Sequence, residues 1–123
     1  MAIILIVEDD MFICELAGMI IQDWGHDIHS AGDIDEALSI LRSARSIDAL
    51  FTDIYLKTAV HGGCELARQA ILLRPNLRVL YTTGNSVTEK VKSQFVDGAH
   101  FLRKPYSAHQ LKSSVERVLA VHF

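Results

Sequence analysis

Five short segments that lack helical spacing alternate with longer stretches in which apolar residues recur every three or four positions. The short segments, which we predict as strands, are 2–7, 27–30, 49–52, 77–82 and 100–103. The first of them is apolar at every position, which is typical of a parallel strand buried on both faces. The strict alternation predicts an α/β fold in which five helices cover the two faces of a parallel sheet.

Capping residues and helix breakers mark the limits of the first three predicted helices. Asp10 is placed to cap a helix over 11–24, because its side chain can accept a hydrogen bond from a free amide of the first turn. Asp33 starts the second helix in the same way. The third helix, over 64–74, stops before Pro75, since the residue before a proline is driven out of the helical conformation.

Two capping boxes are predicted in the second half of the chain. Ser86 and Glu89 open a fourth helix that runs to about Asp97, and Ser107 and Gln110 open the fifth. The apolar side of the fifth helix consists of Leu111, Val115, Val118 and His122. Each box therefore predicts a helix that begins at a defined residue.

Length and composition favour a single globular domain. The chain has 123 residues, of which 50% are hydrophobic and 22% charged, so we expect one domain over 1–123 and no output domain. No apolar run approaches the roughly 20 residues of a membrane span, which predicts no membrane insertion. The two cysteines, Cys14 and Cys64, form neither a disulfide framework nor a metal-binding spacing, and we expect a cytoplasmic protein.

The charge is unevenly distributed. The net charge of −3 gives no reason to expect direct binding of nucleic acid. Residues 1–61 hold eleven acidic and three basic residues, a balance of −8, whereas residues 62–123 hold four acidic and nine basic residues, a balance of +5. Such a division indicates a polarised surface, or a site that is built from both signs of charge.

Chemically active side chains follow four of the five predicted strands. Glu8 and Asp9 follow the first strand, Asp53 the third, Thr83 the fourth and Lys104 the fifth. Since parallel strands end at one edge of a sheet, we expect these side chains to share a pocket. Clustered carboxylates suit Mg²⁺, and a metal, an ammonium and a hydroxyl together stabilise a phosphoryl group. Each residue alone is ordinary, but the combination predicts phosphoryl transfer to a carboxylate, for which Asp53 is the natural nucleophile.

This combination resembles the receiver domain of two-component response regulators over essentially the whole chain. The apolar strand followed by paired acids reads here as residues 4–10, and the strand that ends at the phosphoacceptor reads as 50–53. Thr83 before Gly84, and the Lys104–Pro105 pair, match the family's remaining signatures. The resemblance implies a doubly wound five-stranded sheet of flavodoxin-like order 2-1-3-4-5.

The resemblance also implies a role for each matching residue. Asp53 would accept the phosphoryl group, with Thr83 and Lys104 taking part in the reaction. Asp9 and Asp53 would contact Mg²⁺ directly, together with the backbone carbonyl of Tyr55, and Glu8 would hold the ion through water. Thr83 and Phe101, the aromatic residue three positions before Lys104, would form the conformational switch.

Three features depart from the family's usual pattern. The position four residues after the phosphoacceptor, commonly a proline, is Lys57, and the loop from Asp53 to Gly62 is one residue longer than the commonest version. Segment 81–85 is similar to a receiver subgroup with an aromatic-x-Thr-Gly motif, in which the fourth helix is more mobile. That likeness predicts an atypical switch at Phe101.

The function that the resemblance implies is that of a stand-alone phosphoacceptor, not an enzyme, which catalyses only its own phosphorylation and dephosphorylation. A sensor histidine kinase or a phosphotransfer protein would donate the phosphoryl group to Asp53. A downstream protein would bind the surface of the fourth helix, fifth strand and fifth helix. Two alternatives stay open: a degenerate receiver that acts only as a binding module, and a receiver fragment of a larger regulator or hybrid kinase.

Two other classes of protein fit the sequence less well. A haloacid-dehalogenase-like phosphohydrolase would carry an acid two residues after the nucleophile, where Tyr55 stands. A flavodoxin-like electron carrier would need a loop that cradles a phosphate after the first strand, where acids 8–10 would repel one. Both classes are therefore disfavoured by local chemistry at the predicted strand ends.

Overall fold

A computed structural model describes residues 1–57 and 59–120. The strands are β1 (Ile3–Val7), β2 (Asp27–Ala31), β3 (Ala49–Asp53), β4 (Arg78–Thr83) and β5 (His100–Arg103). The helices are α1 (Met11–Asp23), α2 (Ile34–Arg42), α3 (Gly62–Leu73), α4 (Glu89–Lys92) and α5 (Ala108–Leu119). Apart from α4, the predicted element ends within the described residues differ from these bounds by at most two residues. The predicted position of His122 on the apolar side of α5 lies outside the described residues.

All strand pairs are parallel, and the strands lie in the order β2-β1-β3-β4-β5, which confirms the predicted topology. The continuous apolar sequence of β1 is explained by its central place, because its side chains enter two cores alternately. Leu5 and Val7 pack with α2 and α3, whereas Ile4 and Ile6 pack with α1 and α5. Successive strand residues point to opposite faces of a sheet, so a central strand needs apolar side chains at every position.

Side-chain caps begin α1, α2 and α5 where the sequence predicts them. The Asp10 carboxylate accepts a hydrogen bond from the Ile13 amide at 3.1 Å, and the Asp33 carboxylate accepts one from the Glu36 amide at 2.8 Å. Ser107 forms the predicted reciprocal capping box at the start of α5. These caps satisfy amides that have no partner within the helix, which is why the prediction of helix starts from local sequence is accurate here.

The fourth helix is much shorter than predicted. Instead of running from a cap at Ser86 to Asp97, the helix spans only Glu89–Lys92. The cap is Thr88, whose hydroxyl accepts a hydrogen bond from the Val91 amide at 3.2 Å. The predicted Ser86 capping box and most of the predicted last two turns are therefore wrong.

Tertiary contacts end α4 early. The Phe95 ring stacks on the Tyr81 ring at a centroid distance of 4.3 Å. The Val96 amide donates to the Tyr81 hydroxyl at 3.2 Å, and the Gln94 side chain is hydrogen-bonded to His61 at 3.1 Å. Because β4 and the residue before α3 supply these partners, the chain after Lys92 follows them instead of continuing the helical hydrogen-bond pattern.

None of the helices in the described part of the chain has the length and apolar character that a membrane span requires.

Candidate acidic site at the sheet edge

The carboxyl ends of β1 and β3 bring three acidic residues together, as the sequence predicts. One carboxylate oxygen from each of Glu8, Asp9 and Asp53 lies within 4.8 Å of the others. Glu8 is 6% exposed and Asp53 is 7% exposed, whereas Asp9 is half-buried. Like charges this close repel one another, so the cluster attracts positive charge.

Lys104 reaches this cluster from the end of β5. Its Nζ lies 2.5 Å from Glu8 Oε1 and 3.0 Å from Asp53 Oδ2. Three ionised carboxylates and one ammonium leave a local charge of −2. Lys104 precedes Pro105, to which a cis peptide bond joins it. The predicted association of the acids with Lys104 is thus present in the folded chain.

The environment changes the proton affinity of two of these groups. Burial raises the pKa of Glu8, and the nearby charge of Asp53 adds to the increase, while hydrogen bonds from Lys104 and the Asp10 amide oppose it. Burial alone would lower the pKa of Lys104, but hydrogen bonds to Glu8 and Asp53 outweigh that effect and raise it. Lys104 therefore stays a cation at neutral pH and remains available to pair with an anion.

Backbone amides supply further hydrogen bonds to the carboxylates. The Asp10 amide donates to Glu8 Oε2 at 3.2 Å, and the Tyr55 amide donates to Asp53 Oδ1 at 3.3 Å. The Lys57 amide donates to Asp9 Oδ2 at 2.7 Å. Amide donors favour the ionised form of a carboxylate and limit its rotation. Tyr55, named in the sequence prediction for its carbonyl, thus contacts the site through its amide.

Gly63 has a role that the sequence prediction missed. Its amide donates to the Ile54 carbonyl at 2.9 Å, and a β-carbon at Gly63 would lie 1.9 Å from the Asp53 carbonyl oxygen. Only glycine allows the start of α3 to approach the end of β3 so closely. Nothing in a single sequence shows which backbone lies opposite a glycine, so this close approach could not be predicted.

The two threonines at the end of β4 differ in their contacts. The Thr82 hydroxyl donates to the Leu102 carbonyl at 2.9 Å and so links β4 to β5. The Thr83 hydroxyl is buried and accepts a hydrogen bond from the Asn85 amide at 3.0 Å. Thr82 is therefore engaged across the sheet, while Thr83 contacts the loop that follows β4.

Phe101, the predicted switch residue, lies on β5 away from the acids. Its side chain is 39% exposed, and its ring centroid lies 6.1 Å from that of Phe95. The Lys92 ammonium lies 5.8 Å from the same ring centroid, within range of a cation–π interaction. The ring thus packs against the segment that follows α4.

The acidic cluster fits a hard divalent cation. Its potential ligands are carboxylate oxygens, the donor type that Mg²⁺ prefers, and the local charge of −2 matches such an ion. Glu8, Asp9 and Asp53 are the residues that could hold it.

Comparison with known proteins agrees with this arrangement. A family model described as the response regulator receiver domain matches residues 4–116. The nitrogen assimilation regulatory protein NtrX of Azorhizobium caulinodans is 32% identical over 117 residues, which cover 94% of this chain and 26% of that protein. The transcriptional regulatory protein ZraR of Escherichia coli K12 is 27% identical over 118 residues, with 95% and 26% covered. The chain spans about a quarter of the length of the curated relatives it matches.

Solved structures show the same fold. The chemotaxis protein CheY4 of Vibrio cholerae superposes with a TM-score of 0.87 at 25% identity, covering 97% of this chain and 99% of that one. NtrX from Brucella abortus superposes with a TM-score of 0.85 at 33% identity, covering 96% of this chain and 26% of that one. The family match runs from β1 into α5 and includes every residue of the acidic site, and the chain therefore belongs to the response regulator receiver domain family of two-component systems.

Proposed function

We propose that the chain accepts a phosphoryl group on Asp53. The observation that carries this proposal is the position of the Asp53 carboxylate, which lies among Glu8, Asp9 and the Lys104 ammonium at the carboxyl edge of the sheet. Carboxylates, a cation and a nearby hydroxyl are the groups that phosphoryl transfer to an aspartate requires.

In the proposed reaction an Asp53 carboxylate oxygen attacks the phosphorus of a phosphohistidine. The new P–O bond forms as the P–N bond breaks, and the histidine leaves with its electron pair. Asp9 and Asp53, the Tyr55 carbonyl and, through water, Glu8 would hold Mg²⁺, which would supply positive charge that offsets the phosphoryl oxygens. Asp53 is already hydrogen-bonded by Lys104 and Tyr55, so its carboxylate has little freedom to leave the position of attack.

The Lys104 ammonium has different partners before and after phosphoryl transfer. In the resting chain it bridges Glu8 and Asp53. A phosphoryl group on Asp53 adds negative charge beside the ammonium, so Lys104 pairs with the phosphoryl oxygens. Thr83 supplies a neutral hydrogen bond to the same oxygens, which draws its hydroxyl away from the Asn85 amide.

Loss of the Thr83–Asn85 bond is the first step of the proposed switch. The segment after Thr83 leads directly to α4, and Phe101 packs through Phe95 on the segment that follows α4. A change in this packing alters the surface of α4, β5 and α5, to which a downstream protein binds. Exposed basic residues on that surface, namely Lys90, Lys92, Arg103 and Arg117, favour an acidic partner.

The donor is a sensor histidine kinase or a phosphotransfer protein. The chain acts as a signalling module in the cytoplasm and not as an enzyme, and it contacts neither DNA nor a membrane directly. A stand-alone receiver over 1–123 and the receiver part of a larger regulator are both compatible with this chemistry. The match to about a quarter of NtrX and ZraR supports the receiver part of a larger regulator. The match to nearly all of CheY4 supports a stand-alone receiver.

The test is phosphorylation of purified protein with acetyl phosphate and Mg²⁺, followed by intact mass measurement. The parent should gain one phosphoryl group, and Asp53→Asn should gain none. Asp35→Asn, at an exposed position in α2, should be labelled like the parent. Equal labelling of Asp53→Asn would refute the assignment, and absence of labelling in the parent would favour the degenerate receiver.

A further inference from the structure

Asp9 is held differently from the other two acids of the site. Glu8 and Asp53 share the Lys104 ammonium, whereas Asp9 has no ion pair among residues 1–57 and 59–120. Its hydrogen bond within this part of the chain comes from the Lys57 amide, at 2.7 Å to Oδ2 and across 48 residues of sequence. The orientation of the Asp9 carboxylate therefore depends on the loop between β3 and α3.

The backbone around Lys57 is well anchored. Leu56 and Ala59 exchange two backbone hydrogen bonds, of 3.3 and 3.0 Å, and the Leu56 side chain is buried in the core beneath α2 and α3. The Gly62 amide donates to the Ala59 carbonyl at 3.0 Å. These contacts fix the direction of the peptide group before Lys57, so its N–H points at the acidic edge without help from the Lys57 side chain.

The amide, and not the ammonium, makes the contact with Asp9. The Lys57 side chain is exposed and forms no ion pair in the described part of the chain. Proline, the residue that similar receivers commonly carry at this position, has no N–H and could not donate this bond. The departure noted in the sequence thus coincides with a hydrogen bond that the usual residue cannot make.

We infer that Lys57 is a positioning residue, whose amide orients Asp9 for cation binding and thereby couples cation binding to the order of the backbone at Leu56 and Lys57. This inference rests on the proposed function of the acidic site. With Oδ2 bonded to the amide, Oδ1 is the Asp9 oxygen that accepts no hydrogen bond within residues 1–57 and 59–120. Without the amide the carboxylate would have to be ordered at the moment of binding, which weakens affinity. Because coupling is reciprocal, the cation should in turn protect the Lys57 amide.

The first experiment compares two substitutions at one position by Mg²⁺ titration, followed by amide chemical shifts. Lys57→Pro removes the N–H, whereas Lys57→Ala removes the side chain beyond Cβ and keeps the N–H. Outer contacts of metal ligands commonly affect affinity about tenfold or more, so Lys57→Pro should bind Mg²⁺ about tenfold more weakly than Lys57→Ala. Equal affinity of the two variants would overturn the inference.

A second experiment does not depend on the folding of the proline variant. Hydrogen exchange of the Lys57 amide is measured in the parent, in Asp9→Ala and in Asp9→Asn, without metal. Asp9→Ala should exchange at least about tenfold faster at this amide, while Asp9→Asn, which keeps an acceptor oxygen, should lie between the two. Addition of Mg²⁺ should slow exchange in the parent. An exchange rate in Asp9→Ala equal to that of the parent would overturn the inference.

The positioning role of Lys57 and the function of the acidic site can be refuted separately. If the parent binds Mg²⁺ and accepts a phosphoryl group, but Lys57→Pro and Lys57→Ala behave alike, the positioning role is wrong and the proposed function stands. If the parent binds no Mg²⁺, the proposed metal site fails, and the inference fails with it.

Discussion

Local sequence predicted the acidic edge of the sheet correctly but predicted the structure of segment 84–98 poorly. At the acidic edge, residues named from strand ends alone lie together, with carboxylate oxygens within 4.8 Å. In segment 84–98, a clear helical pattern with a capping pair produced a helix of only four residues, Glu89–Lys92. A parallel sheet brings its strand ends together whatever the side chains are, whereas the length of a surface helix depends on its neighbours.

The two regions are also stabilised differently. The acidic edge is cross-linked by charge-assisted hydrogen bonds from Lys104 and from three backbone amides. Segment 84–98 is held by the stacked rings of Tyr81 and Phe95, by the Val96 amide on the Tyr81 hydroxyl, and by Arg68, which donates to the Gln94 carbonyl at 3.5 Å. A hydrogen bond between neutral groups, such as that of the Val96 amide to the Tyr81 hydroxyl, is weaker than one to a carboxylate, so we expect the 84–98 segment to respond more readily to change.

The largest effect should come from a side chain at Gly63, where α3 approaches the end of β3 most closely. Gly63→Ala places a β-carbon against the Asp53 carbonyl, and backbone cannot yield as a flexible side chain can. We expect a loss of at least about 3 kcal/mol in the free energy of unfolding, measured with urea. Gly32→Ala, where nothing lies within 4 Å of the new carbon, should change stability by less than about 0.5 kcal/mol. Similar losses in both variants would contradict the close approach.

A smaller loss is expected in the 84–98 segment. Tyr81→Phe removes the acceptor of the Val96 amide and should cost about 1 kcal/mol, with faster hydrogen exchange confined to residues 93–97. Burial raises the pKa of Tyr81 to about 12, so the stability it contributes below pH 10 is lost as the pH rises through about 12. Tyr81→Phe should therefore lose less stability than the parent over this alkaline range.

Tyr106→Phe is the matched control for this comparison. Burial also raises the pKa of Tyr106 to about 12, but in the described residues its hydroxyl accepts no backbone amide. Exchange at residues 93–97 should therefore be the same in Tyr106→Phe as in the parent. Faster exchange there in both variants would show that the Tyr81 hydroxyl does not hold the end of α4.

Thr83→Ala tests whether the two regions communicate. Loss of the hydroxyl should reduce the free energy of unfolding by about 0.5–1.5 kcal/mol. Phosphorylation of Asp53 should persist, but the amide shifts of residues 84–106 on addition of beryllofluoride should be smaller than in the parent. Thr82→Ala, which loses only the bond to Leu102, should keep the full response. A full response in Thr83→Ala would exclude coupling through this residue.

The subtlest effect concerns Glu8 and pH. Since burial raises its pKa above the ordinary 4.5, the folded chain binds this proton more tightly than the unfolded chain, and stability falls as the pH rises from 4.5 through the raised value. In metal-free buffer, Glu8→Gln should therefore gain stability relative to the parent over that range. Saturating Mg²⁺ should reduce the difference. A stability difference between Glu8→Gln and the parent that does not change with pH would show that burial does not raise the pKa of Glu8.

The sequence by itself determined the parallel α/β architecture and the membership of the acidic site, and its resemblance to receiver domains implied the strand order. The alternation of strands and helices, the apolar run of β1 and the capping residues Asp10, Asp33 and Ser107 act locally, and each is found where it was predicted. The membership of the site follows from them, because the ends of parallel strands share one edge.

Only the tertiary structure decided the length of α4, the need for glycine at 63 and the partner of the Lys57 amide. Each of these depends on a contact between segments that are distant along the chain: Tyr81 with Val96, Gly63 with the end of β3, and Lys57 with Asp9. Helical spacing indicates which side chains can be buried. It does not indicate whether a side chain elsewhere in the chain will bond a backbone amide in place of the helical carbonyl. Such competition is settled by packing, where a difference of about 1 kcal/mol per hydrogen bond is enough to end a helix.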